Sequence, residues 1–291
     1  MYTKILIPLD GSLFAEAVLP YARALAQQLN VPVDLLYVFD PKEPPVCAPF
    51  MANEYLNRIG ESFGGIASSI VETGHSAATI VEVAAAQPEV LIAMATHGYS
   101  GAKRWLLGSV AEKVLRAAAN HILLVRAANG EPRAEAKLTS VFVPLDGSKL
   151  AETILPTVSE LALRLALRVE LVRVTRRIYS APPEGFLPVF GANAPNLKKL
   201  WAEAHAEANQ YLIDKADRLR QQGLTQVESV VLESGAEGAA AAIIDLVNKT
   251  PDSLVAMCTA GESGFANWPL GSVTERVVRH TTAPVLVIRP R

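Results

Sequence analysis

The chain has 291 residues, half of them hydrophobic and only 6% aromatic, with a formal net charge of −2. That length fits two domains of ordinary size, and an apolar content carried by Ala, Val and Leu suits packed α/β layers. The charge marks no nucleic-acid or anionic-membrane surface and no apolar run nears the roughly 18 to 20 residues of a membrane span, while the distant Cys47 and Cys258 lack metal-type spacing; a reduced, cytoplasmic setting is expected.

The chain enters a strand at once, Ile5-Leu6-Ile7, with no signal-peptide pattern before it. Continuous apolar runs of this kind suit strands covered on both faces. Val18, Ala22, Leu25, Ala26 and Leu29 carry helical spacing from about Leu13 to Leu29. A second strand reads Val33 to Phe39, followed by a proline-rich loop at 41–45 and a short helix over Asn53 to Glu61. A third strand reads Ile66 to Val71, and helical spacing returns at Ile80, Val83 and Ala84, ending before Pro88. The fourth strand, Val90 to Ala95, opens into a loop with Gly98 and Gly108; Ser109 is expected to cap a helix to about Ala119, and Ile122 to Val125 is the last strand. Asn129-Gly130-Glu131-Pro132 reads as a linker, and the order repeats from Val141 to Ile288. Domains are expected at 1–130 and 138–291.

The repetition is visible in the residues. Pro8-Leu9-Asp10-Gly11-Ser12 returns as Pro144-Leu145-Asp146-Gly147-Ser148, and Leu107-Gly108-Ser109-Val110 as Leu270-Gly271-Ser272-Val273. Two blocks kept in order mean one domain duplicated in tandem, so a site built from them occurs twice. The first blocks are offset by 136 residues (10 to 146) and the second by 163 (108 to 271). The excess is assigned between the second and third strands, where the second half has a Pro/Gly-rich loop from Arg176 to Pro195 and a helix from about Leu197 to Gln222. In the first half the same region is truncated, which leaves one sheet face thinly covered.

Strands alternating with helices imply an α/β fold of two tandem doubly wound domains, each a five-stranded parallel sheet flanked by helices. In the order 3-2-1-4-5, strands one and four meet where the winding reverses, and a crevice opens at their carboxyl ends. Asp10 stands on one lip. Gly108 and Ser109 stand on the other, at a helix start whose unpaired N–H groups favour a phosphate. Asp10 suits a ribose hydroxyl; the alternative is a cap on the next turn or helix, as Ser109 and Ser272 could cap theirs.

On these blocks the sequence resembles the universal stress protein family in its tandem form. Its ATP-binding members carry G-x2-G-x9-G-[S/T] in the loop. Gly98, nine residues, Gly108 and Ser109 match, as do Gly261, nine residues, Gly271 and Ser272; Ala95 and Cys258 replace the first glycine. The resemblance implies an ATP-binding stress sensor with Leu9, Asp10, Val38, Ala95, Gly98, Gly108, Ser109 and Val110 around the nucleotide, and magnesium entering with it. The second, weaker set is Leu145, Asp146, Val174, Cys258, Gly261, Gly271, Ser272 and Val273. Lys103 and Arg104 in the first loop attract a triphosphate, whereas Ala266 and Asn267 replace them in the second, beside Glu262 and the stiffening Pro269, so the first half is the expected binder.

The family dimerises through its last strand, which implies an intrachain pseudo-dimer through Ile122–Val125 and Val285–Ile288, and further association of two chains as a homodimer. A nucleotide-free interaction scaffold is the alternative, favoured by the missing first glycines and the acidic second loop. A slow ATPase ranks third, because neither a general base nor a metal-ligand set is evident; His75, His97, His121, His205 and His280 are scattered. Cys258 reads as a small core residue.

Overall fold

The computed structural model describes residues 1–42, 49–87, 89–97, 107–127, 135–176, 194–259 and 270–289. The first half runs β1 (Lys4–Leu9), α1 (Leu13–Glu16), α2 (Leu19–Leu29), β2 (Val33–Phe39), α3 (Pro49–Glu61), β3 (Ala67–Thr73), α4 (Ser76–Ala85), β4 (Val90–Ala95), α5 (Ser109–Ala117) and β5 (Ile122–Val125). The second half runs β6 (Ser140–Pro144), α6 (Lys149–Glu152), α7 (Leu155–Leu165), β7 (Arg168–Arg176), α8 (Ala194–Gln221), β8 (Val227–Ser234), α9 (Ala239–Asn248), β9 (Ser253–Cys258), α10 (Ser272–His280) and β10 (Val285–Ile288).

All the described strands belong to one sheet of order β3-β2-β1-β4-β5-β10-β9-β6-β7-β8. Each half has the 3-2-1-4-5 order, and the two meet at β5 and β10. These pair antiparallel, Val285 opposite Leu124 and Val287 opposite Ile122, while the other described pairs are parallel. The join has a simple cause. Both strands are short and wholly apolar, and an exposed apolar edge is costly; each hides the other.

Side chains alternate across the sheet, so two cores form. Ile5, Ile7, Val143 and Val169 face α2, α3, α7 and α8, while Leu6, Ile92, Phe142 and Val255 face α4, α5, α9 and α10. Inner strands such as β4 and β9 are buried along their whole length, as expected of strands packed on both sides.

Four expectations need correction. The span Leu13–Leu29 is two helices, because Pro20 sits in the first turn of α2, where its missing N–H costs nothing, and cannot continue α1. The helix expected over 53–61 begins at Pro49 and has 13 residues; Ala52 and Leu56 are fully buried under it, so this sheet face is covered. The third strand lies at Ala67–Thr73, slightly later than read. Finally, the length difference is distributed. Val33 pairs with Ala67 and its counterpart Val169 with Val227, an offset of 160 (67 to 227), and the fourth strands are offset by 163 (90 to 253). Part of the excess therefore falls after the third strand.

Candidate functional site

Each half builds the first lip from the same turn. β1 ends at Leu9, and Asp10 Oδ1 accepts from the Ser12 amide at 2.9 Å and the Ser12 hydroxyl at 2.6 Å. Ser12 Oγ in turn accepts from Ala15 N–H at 3.2 Å and caps α1. Gly11, at φ 86°, supplies the left-handed residue that aims Asp10 over the strand end. In the second half Asp146 Oδ1 accepts from Ser148 N–H at 2.9 Å, Ser148 caps α6, and Gly147 lies at φ 94°. The helix-cap role weighed for Asp10 thus belongs to Ser12; Asp10 holds the turn through one oxygen of its carboxylate.

The second lip is anchored through backbone. Gly108 N–H donates to Thr96 C=O at 2.8 Å, and Gly271 N–H donates to Thr259 C=O at 2.6 Å. A Cβ on Gly108 would stand 3.0 Å from Thr96 O and 3.5 Å from His97 Cα, so the close approach of loop to strand favours glycine. The cap expected at Ser109 is Gly108 instead, and Gly271 replaces Ser272 in the same way; both serines occupy the first helical position and neither hydroxyl caps. Their hydroxyls stand at the helix mouths, beside backbone N–H groups that lack intrahelical acceptors. Glu112 and Glu275 in the first turns would oppose an anion, but they pair with Arg116 at 2.9 Å and Arg279 at 2.6 Å.

In the second half the two lips open onto one cavity of about 130 Å³, partly open to solvent. Leu145, Asp146, Val174, Cys258, Gly271, Ser272 and Val273 line it, seven of the eight residues expected there. Gly261 lies outside the described residues. Sequence reasoning missed the apolar floor and side wall, Val172, Ala239, Ile243 and Met257. Ile243 has a repeat counterpart in Ile80, and both are buried, a signal available from aligning the fourth helices.

The first half presents the same framework. Leu9 is buried, and Val38 packs with Leu107 and Val110 against the core shared by α4 and α5. Asp10, Ala95, Gly108 and Ser109 hold positions equivalent to Asp146, Cys258, Gly271 and Ser272 at the ends of neighbouring β1 and β4. Gly98, Lys103 and Arg104 lie outside the described residues, as do Glu262, Ala266, Asn267 and Pro269, most of the Arg176–Pro195 loop, and Cys47. Ala95 and Cys258 do not require the conformation that glycine serves, for neither has positive φ.

The Cys258 side chain is engaged by α6 and its end. Its Sγ lies 3.2 Å from Thr153 Oγ1 and donates to Leu150 C=O at 3.1 Å, and burial pushes the thiol pKa up. It is a packed, protonated core thiol that also forms part of the cavity wall. His97 Nδ1 meets Thr96 Oγ1 at 3.0 Å, and burial, with the nearby Arg126 charge, lowers its pKa and favours the neutral ring.

A sheet doubly wound in each half, with a cavity at the reversal point of the second, defines an α/β protein of the tandem type. The sequence model described as the universal stress protein family matches residues 1–126 and 138–289, and the chain belongs to that family. A universal stress protein of Mycolicibacterium smegmatis is 22% identical over 306 aligned residues, 99% of this chain and 97% of that one. One from Methanocaldococcus jannaschii is 32% identical over 142 residues, 43% of this chain and 83% of its own length. The crystal structure of a universal stress protein from Archaeoglobus fulgidus shares the fold, with a TM-score of 0.64 at 18% identity and 99% of each chain covered.

Proposed function

We propose that this universal stress protein binds an adenine nucleotide, ATP foremost, in its crevices and reports nucleotide level as a stress-response regulator. One observation carries the reading: Asp146 on one lip and Gly271-Ser272 on the other line a single cavity, with Val174 between them. An acid facing ribose, an aliphatic slot for a base and a helix mouth for phosphate are the three parts an adenine nucleotide needs.

The first half repeats these parts in Asp10, Val38 and Gly108-Ser109, and its Lys103 and Arg104 add cations where the second loop has Ala266 and Asn267. The first crevice is therefore the tighter binder in this proposal. Among the described residues no group of three or more His, Cys, Asp or Glu side chains could hold a metal, so magnesium would enter on the phosphates.

The test is direct. Purified protein is denatured and the supernatant is analysed for adenine nucleotide, then refolded or fresh protein is titrated with ATP by calorimetry. Bound or binding ATP, lost in Gly108→Val, supports the proposal. No nucleotide and no heat of binding would leave the duplicated domains as an interaction scaffold. Steady phosphate release abolished by the same substitution would make the protein a slow ATPase.

A further inference from the structure

The β5–β10 join places the end of each half beside the far end of the other half's anion-facing helix. Arg126 follows Val125, the last residue of β5, and its Nη1 lies 3.5 Å from the carbonyl of His280, the last residue of α10. Arg289 follows Ile288, the last residue of β10, and its Nη1 donates to the carbonyl of Arg116, the penultimate residue of α5, at 3.0 Å. Arg126 and Arg289 are repeat counterparts, so the two contacts are similar arrangements with the halves exchanged, although the accepting carbonyls are one residue out of step.

Each arginine is also tied to its own crevice. Val125 C=O accepts from Thr96 N–H at 2.8 Å, and Thr96 C=O accepts from Gly108 N–H at 2.8 Å, at the mouth of α5. Ile288 C=O accepts from Thr259 N–H at 2.8 Å, and Thr259 C=O accepts from Gly271 N–H at 2.6 Å, at the mouth of α10. The links close on themselves. They run from Arg126 along α10 to Gly271, through Thr259 and Ile288 to Arg289, then along α5 to Gly108 and back through Thr96 and Val125. Both crevices lie on this ring.

We propose that Arg126 and Arg289 are crossed positioning residues. Each half supplies the guanidinium that holds the carboxyl end of the other half's anion-facing helix, and each crevice is completed by the opposite repeat. The physics is that of a helix end. Carbonyls in the last turn lack intrahelical donors, and a cation there satisfies one and opposes the negative end of the dipole. Fixing that end also fixes the N–H groups at the other, a short helix away, where phosphate would sit. The ligand part of this inference rests on the proposed nucleotide function; the helix part does not.

The experiment uses the full chain with Arg126→Met, Arg289→Met and the corresponding Lys variants. Hydrogen exchange is followed in α5 and α10 without ligand, and ATP binding is measured by calorimetry. R289M should speed exchange in α5 by about twofold to fivefold and leave α10 unchanged; R126M should do the reverse, more weakly at its longer contact; Lys should restore most of each effect. ATP affinity of the crevice opposite the substituted arginine should fall by a similar factor. Unchanged exchange, or equal loosening of both helices by either variant, overturns the proposal, as does a crossed exchange pattern with ATP affinity unchanged in both variants. If the wild-type protein binds no ATP, the nucleotide reading fails by itself, and the exchange pattern alone decides the crossed contact.

Discussion

The two halves solve the same packing problem with different chemistry, and the contrast shows which parts of the repeat are fixed by geometry. In the first half, Tyr55 on α3 donates to Glu16 at 3.1 Å; in the second, Tyr211 on α8 donates to Glu152 at 3.0 Å. Ala52 and Leu56 on α3 are matched by Ala208 and Leu212 on α8, all essentially inaccessible, so α3 is the counterpart of the middle of the longer helix. Around this shared contact the partners change. Tyr37 packs edge-on to Tyr55, with ring centroids 6.5 Å apart, and leans on Phe39 at 4.8 Å. At the position equivalent to Tyr37 stands Arg173, its guanidinium 4.8 Å from the Tyr211 centroid, while Lys215 pairs with Glu152 at 2.6 Å. The fold keeps a tyrosine–glutamate link between the turn helix and the covering helix in both halves. It accepts either aromatic packing or a charged network to support it.

The largest expected break in the symmetry lies at the helix mouths. Gly108→Val should abolish ATP binding to the tighter crevice and lower stability by about 1–3 kcal/mol, since the new Cβ meets backbone at 3.0 Å. Gly271→Val should leave that ATP in place; calorimetry on the two variants ranks the crevices, and the opposite order would refute the preference for the first half.

Next comes the charged network. Lys215→Met should cost about 2 kcal/mol, since it leaves the part-buried Glu152 without its cation. Burial opposes the Glu152 carboxylate, but the Lys215 and Tyr211 contacts outweigh it and hold its pKa below the ordinary value. A depressed carboxylate stabilises the fold above its unfolded pKa of about 4.3 and loses that contribution as pH falls through the folded value. Denaturant titrations should therefore show wild type and variant converging below about pH 4. Among the described residues the first half shows no such cation pair, since Ile59 stands at the place of Lys215, so Tyr55→Phe should cost only about 1 kcal/mol.

The smallest effects should be equal between halves. Ser12→Ala and Ser148→Ala remove the same cap, and each should lower the thermal midpoint by the equivalent of about 1 kcal/mol. A marked inequality would mean that the two turns are not the structural repeats they resemble.

Much of this was legible in the residues, for reasons that differ from place to place. Runs such as Val90–Ala95 can only be strands buried on both faces, and the repeated Asp10 and Gly108 blocks fall at strand ends that the winding brings together. The start of α3 was missed because the proline-rich stretch before it reads as loop, although Pro49 is itself a favoured first helical residue. The break between α1 and α2 carried the same kind of signal in Pro20. Ser109 misled because serine is a good cap, but here Gly108 must approach Thr96 and takes the cap position. Arg126 and Arg289 left no trace beyond their repetition, since their roles depend on which strand of one half lies against which strand of the other.

The pairing of Ile122–Leu124 with Val285–Val287 has one last consequence. A lone repeat would have to recruit a second molecule to shelter that strand, and dilution would part them. Here the matching strand is tethered to the same polypeptide, at an effective concentration that no dilution changes. The seam should therefore open at the same temperature whatever the protein concentration, and whatever assembly the molecule joins, it arrives with this surface already taken.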